Sequence, residues 1–350
     1  MVTIYDVAAR AGVSAATVSR VFNGIKVRPD MTEAVRKAAE ELGFVPNRMA
    51  RRLRTSSSEI IAMLIPDIEN PFFTIMVRAV EDVARASGYS VMLCNTDEDP
   101  VREQEYLRVA VSDPVAGIIV APSSKASDLS FAIERGVPVV CIDRRAPLHA
   151  VDSVVADNFA GAKAAARLLI DSGYRQLACV SGPEGVETAD DRAEGWAATY
   201  REALGSEPPA DRMIRTTYTV AGGEAAARQL LALPDPPNAI FAANNKLASG
   251  VIRVLAEAGK LPPDVGVVSF GGLPLVLLVP LGVLEAHLPV REMGITAATM
   301  LLERIGGLAA PPRDVVVPVV LNQEEAGITM LEGARAHPAL STAFPPAVTA

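Results

Sequence analysis

Residues Thr3–Asn23 read TIYDVAARAGVSAATVSRVFN, and the places where this stretch breaks decide how the first part of the chain folds. Thr3, with Asp6 three positions on, has the form of a capping box, and Ile4, Val7, Ala8 and Ala11 share one face of the helix that follows. Gly12-Val13-Ser14 interrupts that helix. Ser14 is placed to cap a second one, with Val18, Val21 and Phe22 facing inward and Asn23-Gly24 ending it. Two short helices joined this way are the grammar of a helix-turn-helix, whose second helix sets its first residues against base edges in the major groove. Those residues are Ala15, Ala16 and Thr17, followed by Ser19 and Arg20. Arg20 suits a bidentate contact to guanine, with a phosphate contact as the plainer alternative. Thr17 and Ser19 suit phosphate or base. Ala15 and Ala16 can only touch a thymine methyl or permit close approach.

A third helix is expected from about Thr32 to Leu42, with Val35, Ala38, Ala39 and Leu42 as its stripe and Gly43 as its stop. Asn47 then caps a short, very basic helix holding Arg48, Arg51, Arg52 and Arg54 around Ala50 and Leu53. Arginines suit phosphates and narrow minor grooves, and an apolar Leu53 can wedge between base steps. The alternative is a solvated basic linker with Leu53 packed on the body. Ten basic against five acidic side chains give residues 1–58 a net charge of +5. The whole chain carries −8, so the other 292 residues carry −13. A basic head on an acidic body fits a molecule that meets phosphates only with its head.

Beyond a serine-rich linker ending near residue 58 the pattern changes. Near-continuous apolar runs at Ile60–Ile65, Tyr89–Cys94, Gly117–Ala121, Val137–Ile142, Gln176–Ser181, Ala239–Ala242 and Val265–Phe270 alternate with helical stretches, as buried parallel strands do. Ala86-Ser87-Gly88-Tyr89 and Asp171-Ser172-Gly173-Tyr174 echo each other at helix-to-strand joints, as two similar lobes would. The Ala- and Pro-rich end reads as a disordered tail. Cys94, Cys141 and Cys179 sit in or beside apolar runs with no close pair, which points to buried free thiols and to neither a disulfide framework nor a zinc site. No apolar leader opens the chain, and the run Leu273–Leu284 is short and holds two prolines, so a cytoplasmic protein with no membrane partner is expected.

Thr3-Ile4-Tyr5-Asp6-Val7-Ala8, Ala11-Gly12-Val13-Ser14, Thr17-Val18-Ser19-Arg20-Val21-Phe22-Asn23, and Leu42-Gly43-Phe44-Val45-Pro46-Asn47 with Ala50, Arg51 and Leu53 closely resemble the headpiece of the lactose/galactose repressor (LacI-type) family. The resemblance continues to about residue 330 through Pro66–Phe73, Ile142-Asp143-Arg144, Asp190–Trp196, Ala243-Asn244-Asn245 and Pro263–Phe270. It implies an α-helical helix-turn-helix headpiece with a hinge helix (1–58), then an α/β body (59–330) of two doubly wound parallel sheets, similar to periplasmic sugar-binding proteins, and a tail (331–350). One lobe is expected over 59–157 with 289–319 and the other over 158–288 with 320–330. It further implies a transcriptional regulator, most often a repressor, acting as a homodimer on a palindromic operator in double-stranded DNA.

The operator contacts so implied are Thr3, Tyr5, Ser14, Ala15, Ala16, Thr17, Ser19, Arg20, Asn23, Asn47, Ala50, Arg51 and Leu53, with Leu53 intercalating from a hinge helix. A small-molecule effector is expected between the lobes, at the carboxyl ends of the strands. Phe72 or Phe73 would stack on a ring face, Asp143, Arg144, Asn158, Arg192 and Asn244 would supply donors and acceptors, and Trp196 and Gly271 fall in matching motifs. The sequence departs from the family where Phe-Asp-Asp is replaced by Phe270-Gly271-Gly272, and Asn-Asp by Asn244-Asn245. A carboxylate suited to sugar hydroxyls is missing beside an unusually apolar loop. The expected effector is therefore less hydroxylated than a plain sugar, or anionic and held by Arg144 and Arg192, or else effector control is weakened. No nucleophile elbow, phosphate-cradling loop or metal-ligand cluster is present, so neither an enzyme nor a cofactor is expected. A solute-binding protein of the periplasmic type is the rival reading, which the intact headpiece disfavours.

Overall fold

The computed structural model describes residues 2–22, 25–44, 58–113, 115–273 and 282–321. The chain divides into two compact units, residues 1–58 and 59–350.

In the first unit, α1 (Ile4–Ala11) opens on the Thr3/Asp6 capping box and closes at Gly12, whose φ of 65° is left-handed. The Ser14 side chain accepts from the Thr17 amide at 3.1 Å and so starts α2 (Ala15–Phe22). The third helix, α3, runs Pro29–Leu42, a turn earlier than its apolar stripe alone suggests. Pro29 accounts for the difference, since proline's fixed φ and missing N–H cost nothing in a helix's first turn. The three helices close on Val7, Ala8, Val18, Val35, Ala38 and Ala39, with Phe22 and Phe44 rings 5.7 Å apart at the edge. The basic segment after Val45, with Asn47, Ala50, Arg51 and Leu53, lies outside the described residues, as do Asn23 and the tail.

The second unit holds two six-stranded sheets. The first has the order β11-β5-β4-β3-β1-β2, built from β1 (Ile60–Ile65), β2 (Ser90–Asn95), β3 (Gly117–Val120), β4 (Val139–Ile142), β5 (Asp152–Ala156) and β11 (Asp314–Val317), all parallel. The second has the order β12-β10-β9-β8-β6-β7, built from β6 (Leu177–Ser181), β7 (Met213–Arg215), β8 (Ala239–Ala242), β9 (Gly266–Phe270), β10 (Leu284–His287) and β12 (Val320–Leu321), with β12 antiparallel. The seven strand-like runs all form strands; the shorter or more polar β5, β7, β10, β11 and β12 complete the sheets.

Helices cover both faces of each sheet. α4 (Pro71–Ala86), α5 (Pro100–Ser112), α6 (Ser130–Ile133) and α11 (Val290–Ile305) flank the first; α7 (Asn158–Asp171), α8 (Glu187–Leu204), α9 (Val220–Leu231) and α10 (Asn245–Glu257) flank the second. The chain passes between the lobes three times, after β5, after β10 and after β11. Each sheet is sandwiched between two apolar clusters, with Met63, Met76 and Ile142 in one and Trp196, Phe241 and Phe270 in another. These layers bring the carboxyl ends of β1, β4, β8 and β9 to a common cleft.

Candidate functional site

Asn70, the residue that caps α4 through the Phe72 amide, and Asn244, which caps α10 through the Leu247 amide, stand at the mouths of the two lobes. Between them lies a cavity of about 900 Å³. Of the expected effector-binding residues, Phe72, Phe73, Asp143, Arg144, Arg192, Asn244 and Gly271 line it. Asn158 and Trp196 do not. Asn158 stands behind the wall, where its amide oxygen accepts from Arg192 Nε at 2.8 Å. Trp196 is fully buried in the second lobe against Tyr200. α8 leads away from the cleft, where Val186, Thr188 and Arg192 lie, so a residue nine positions past its start sits roughly 14 Å along its axis and packs in the core.

The polar wall joins the buried Asp143, Arg144 and Arg192 to the exposed carboxylates Asp97 and Glu98. Arg144, 4% exposed, forms a fork with Glu98 (Nη1–Oε2 2.7 Å, Nη2–Oε1 2.8 Å) and has Asp143 3.4 Å from its Nε. Asp97, Glu98 and Asp143 have positive φ (54°, 58° and 67°), and all three line the cavity. Non-glycine residues held there mark a backbone that the surrounding structure constrains. Burial pushes the Asp143 carboxyl above its ordinary pKa, while the Arg144 and Arg192 charges oppose that shift. Arg192 is also buried and lies over the Phe270 ring, 4.4 Å from its centre; its Nη1 donates to the Ala243 carbonyl at 2.8 Å. Burial lowers the Arg192 pKa. The Tyr218 hydroxyl is buried beside Thr188, and burial raises its pKa.

The lobes also touch directly. Asn245 Nδ2 donates to Asn70 Oδ1 at 3.1 Å, Lys246 pairs with Asp67, Lys125 Nζ meets Asp190 at 2.9 Å, and Arg145 Nη1 meets Glu187 at 2.5 Å. The wall contains Glu98, Thr188, Tyr218 and Lys246, which the sequence reading did not pick out. Only Glu98 carried a signal, in the acidic run Asp97-Glu98-Asp99 after β2.

In the first unit, Ala16 and Arg20 are exposed four positions apart on one face of α2, and Tyr5 on α1 is 73% exposed. Ala15, Thr17 and Ser19 are half-buried. The Ser14 and Thr17 hydroxyls bond each other at 2.9 Å, and the Thr3 hydroxyl donates to Asp6 at 2.7 Å, so three of the expected polar contacts are already engaged within the headpiece.

Residues 3–47 match the model of bacterial regulatory proteins of the lacI family, and residues 58–325 match that of periplasmic binding proteins and the sugar-binding domain of the LacI family. The chain belongs to the LacI family. It is 34% identical to a ribose operon repressor of Halalkalibacterium halodurans over 87% of this chain and 91% of that one. Among solved structures it resembles a transcriptional regulator CelR–cellobiose complex (TM-score 0.69, 29% identity, 92% of this chain and 98% of that one). It also resembles the lac repressor dimer bound to operator and the anti-inducer ONPF (TM-score 0.81, 25% identity, 91% and 97%). As a LacI-family member it is a DNA-binding regulator of transcription with an effector-binding domain, and it is not an enzyme. The rival reading, a solute-binding protein without DNA regulation, is set aside. Among the described residues no helix is long and apolar enough to cross a membrane.

Proposed function

We propose that this protein is a cytoplasmic, homodimeric repressor whose affinity for a palindromic operator is set by a neutral, hydroxylated small molecule bound in the cleft. Ala15, Ala16 and Arg20 read the operator half-site, with Tyr5, Ser14, Thr17 and Ser19 holding the backbone. The observation that carries the effector class is the Arg144–Glu98 fork. An anionic effector held by Arg144 and Arg192 requires both guanidinium groups, and Arg144 is already neutralised by Glu98 and flanked by Asp143. Five carboxylates (Asp67, Glu69, Asp97, Glu98, Asp143) line the cavity against three cations (Arg144, Arg192, Lys246). Such a wall accepts hydroxyl protons better than it holds a second anion. Effector binding changes how the lobes meet, and the headpieces respond through a shift in population.

The test is operator affinity of the full chain with and without neutral sugars, ribose and cellobiose first, beside the matching sugar acids and sugar phosphates. A response confined to neutral compounds is expected. A response confined to the acids or phosphates would overturn the effector class.

A further inference from the structure

The interactions between the two lobes join protein to protein and call on no effector atom. Past β1, Asp67 pairs with Lys246 of α10, and Asn70 Oδ1 accepts from Asn245 Nδ2 at 3.1 Å. Past β3, Lys125 Nζ meets Asp190 of α8 at 2.9 Å. Past β4, the Arg145 amide and guanidinium donate to the two carboxylate oxygens of Glu187 of α8, each at 2.5 Å. β4, β3 and β1 are neighbours in the first sheet, so the lobes are tied along the ends of three consecutive strands. The first lobe supplies the anion past β1 and the cations past β3 and β4. Complementarity that alternates in this way fixes register as well as attraction.

Several of these groups are set in place by their own lobe. Arg145 is also held by Asp314 within the first lobe (Nε–Oδ1 3.1 Å, Nη2–Oδ2 2.9 Å), and Asp190 by Arg215 within the second at 3.2 Å. Asn70 Oδ1 caps α4 through the Phe72 amide. Asn245 Oδ1 accepts from the Lys246 amide at 3.0 Å, which turns its NH2 group toward Asn70. The cost of ordering long side chains is what leaves most exposed ion pairs worth little, and groups already ordered escape much of it. Asn245 stands where the family's Asn-Asp motif has its carboxylate. A carboxylate there would set one acceptor against another, so this bond between the lobes needs the amide.

We propose that these interactions form an interlobe latch. The lobes of this regulator rest in contact without an effector, and an effector acts by competing with the latch rather than by supplying the first link between them. Asp67 and Lys246 line the effector cavity, so a bound molecule reaches the latch directly. A resting state that must be displaced lowers the apparent effector affinity in proportion to its population. The latch is independent of the effector's chemical class.

The experiment needs no effector. Glu134 and Ser206 are exposed, one on each lobe, and Cys94, Cys141 and Cys179 are buried, so Glu134→Cys with Ser206→Cys places two nitroxide labels on the full chain. Double electron–electron resonance, with labelled protein diluted into unlabelled, then reads the distance between the lobes. In the wild type one distance is expected for about nine-tenths or more of the molecules. Lys246→Asp and Asp67→Lys, at side chains 22% and 26% exposed, should each raise the share of a second distance roughly tenfold, and the two together should restore the first. Asn245→Asp, nearly isosteric, should act in the same direction as the single reversals. So should raising KCl from about 0.1 to about 1 M on the unsubstituted latch, which cuts the Debye length from about 10 to about 3 Å. A broad wild-type distribution, one that neither salt nor any substitution changes, or a double exchange that fails to restore the first distance would overturn the latch. None of these results bears on whether the effector is neutral or anionic, which the operator assay above decides.

Discussion

Asp152, at the start of β5, is a buried charge outside the cleft that two arginines share. Its side chain has no exposed surface. Arg304 of α11 meets it with two hydrogen bonds (Nε–Oδ2 2.9 Å, Nη2–Oδ1 2.7 Å), and Arg313 adds its amide at 2.8 Å and its Nη2 at 3.2 Å. Arg304 also donates to the carbonyls of Leu308, Ala310 and Pro311, so one carboxylate ties β5 to the helix and the turn that bring β11 back to the first sheet. Removing one partner of a fully buried pair costs about 3–5 kcal/mol. Arg304 and Arg313 are 17% and 37% exposed and recover some hydration, so Asp152→Ala should destabilise by about 2–3 kcal/mol. Burial pushes the Asp152 carboxyl up, but the hydrogen bonds from Arg304 and Arg313 outweigh it and hold its pKa below the ordinary value. A depressed folded pKa adds stability that is fully present above the unfolded value, about 3.9, and is lost as pH falls through the lower folded value. The penalty of Asp152→Ala should therefore be constant from pH 7 to 5 and shrink below about pH 4. Urea unfolding followed by circular dichroism at several pH values measures both quantities. A loss under about 1 kcal/mol, or one unchanged down to pH 3, would refute this account of the junction.

Gly195 faces α7 so closely that an added Cβ would lie within 3.0 Å of Ala162 Cβ and Lys163 N, and nearer still to the Phe159 carbonyl. Gly195→Ala, which in an exposed helix would gain up to about 1 kcal/mol, should instead lose about 1–3 kcal/mol in thermal or urea unfolding. Trp196, the chain's single tryptophan, is fully buried, so its emission should be blue-shifted and resist acrylamide until the second lobe unfolds. Cys94, Cys141 and Cys179 are buried, and burial raises all three pKa values, Cys141 and Cys179 to about 12. The native chain should not react with a thiol reagent at pH 8, and three equivalents should react once it is denatured.

The headpiece was legible because its punctuation is chemical. Thr3, Gly12, Ser14 and Gly43 each act where a cap or a left-handed stop is needed, and the structure uses each in that way. In the body, strands with both faces buried announced themselves as apolar runs. β5 did not: Asp152-Ser153 at its start reads as a loop until Arg304 and Arg313, more than 150 residues on, neutralise the aspartate. The cleft was half legible. Asp143, Arg144 and Arg192 stand in recognisable motifs, but the Glu98–Arg144 fork joins residues 46 apart, and Glu98 holds a positive φ that no local pattern signals. Trp196 stands one helical turn from Arg192 and shares its motif, yet spacing along a helix does not say where the helix leaves the cleft.

The most direct test of the central claim is selection of a binding site from random DNA by the full chain, then fluorescence anisotropy of wild type and Arg20→Ala on the selected duplex at two salt concentrations. The account predicts a palindromic site, saturable binding that resists competitor DNA, and a loss of about 1–3 kcal/mol with relaxed preference at one base pair of each half-site for Arg20→Ala. Failure to enrich any sequence, with weak binding that depends steeply on salt and is indifferent to Arg20, would contradict it.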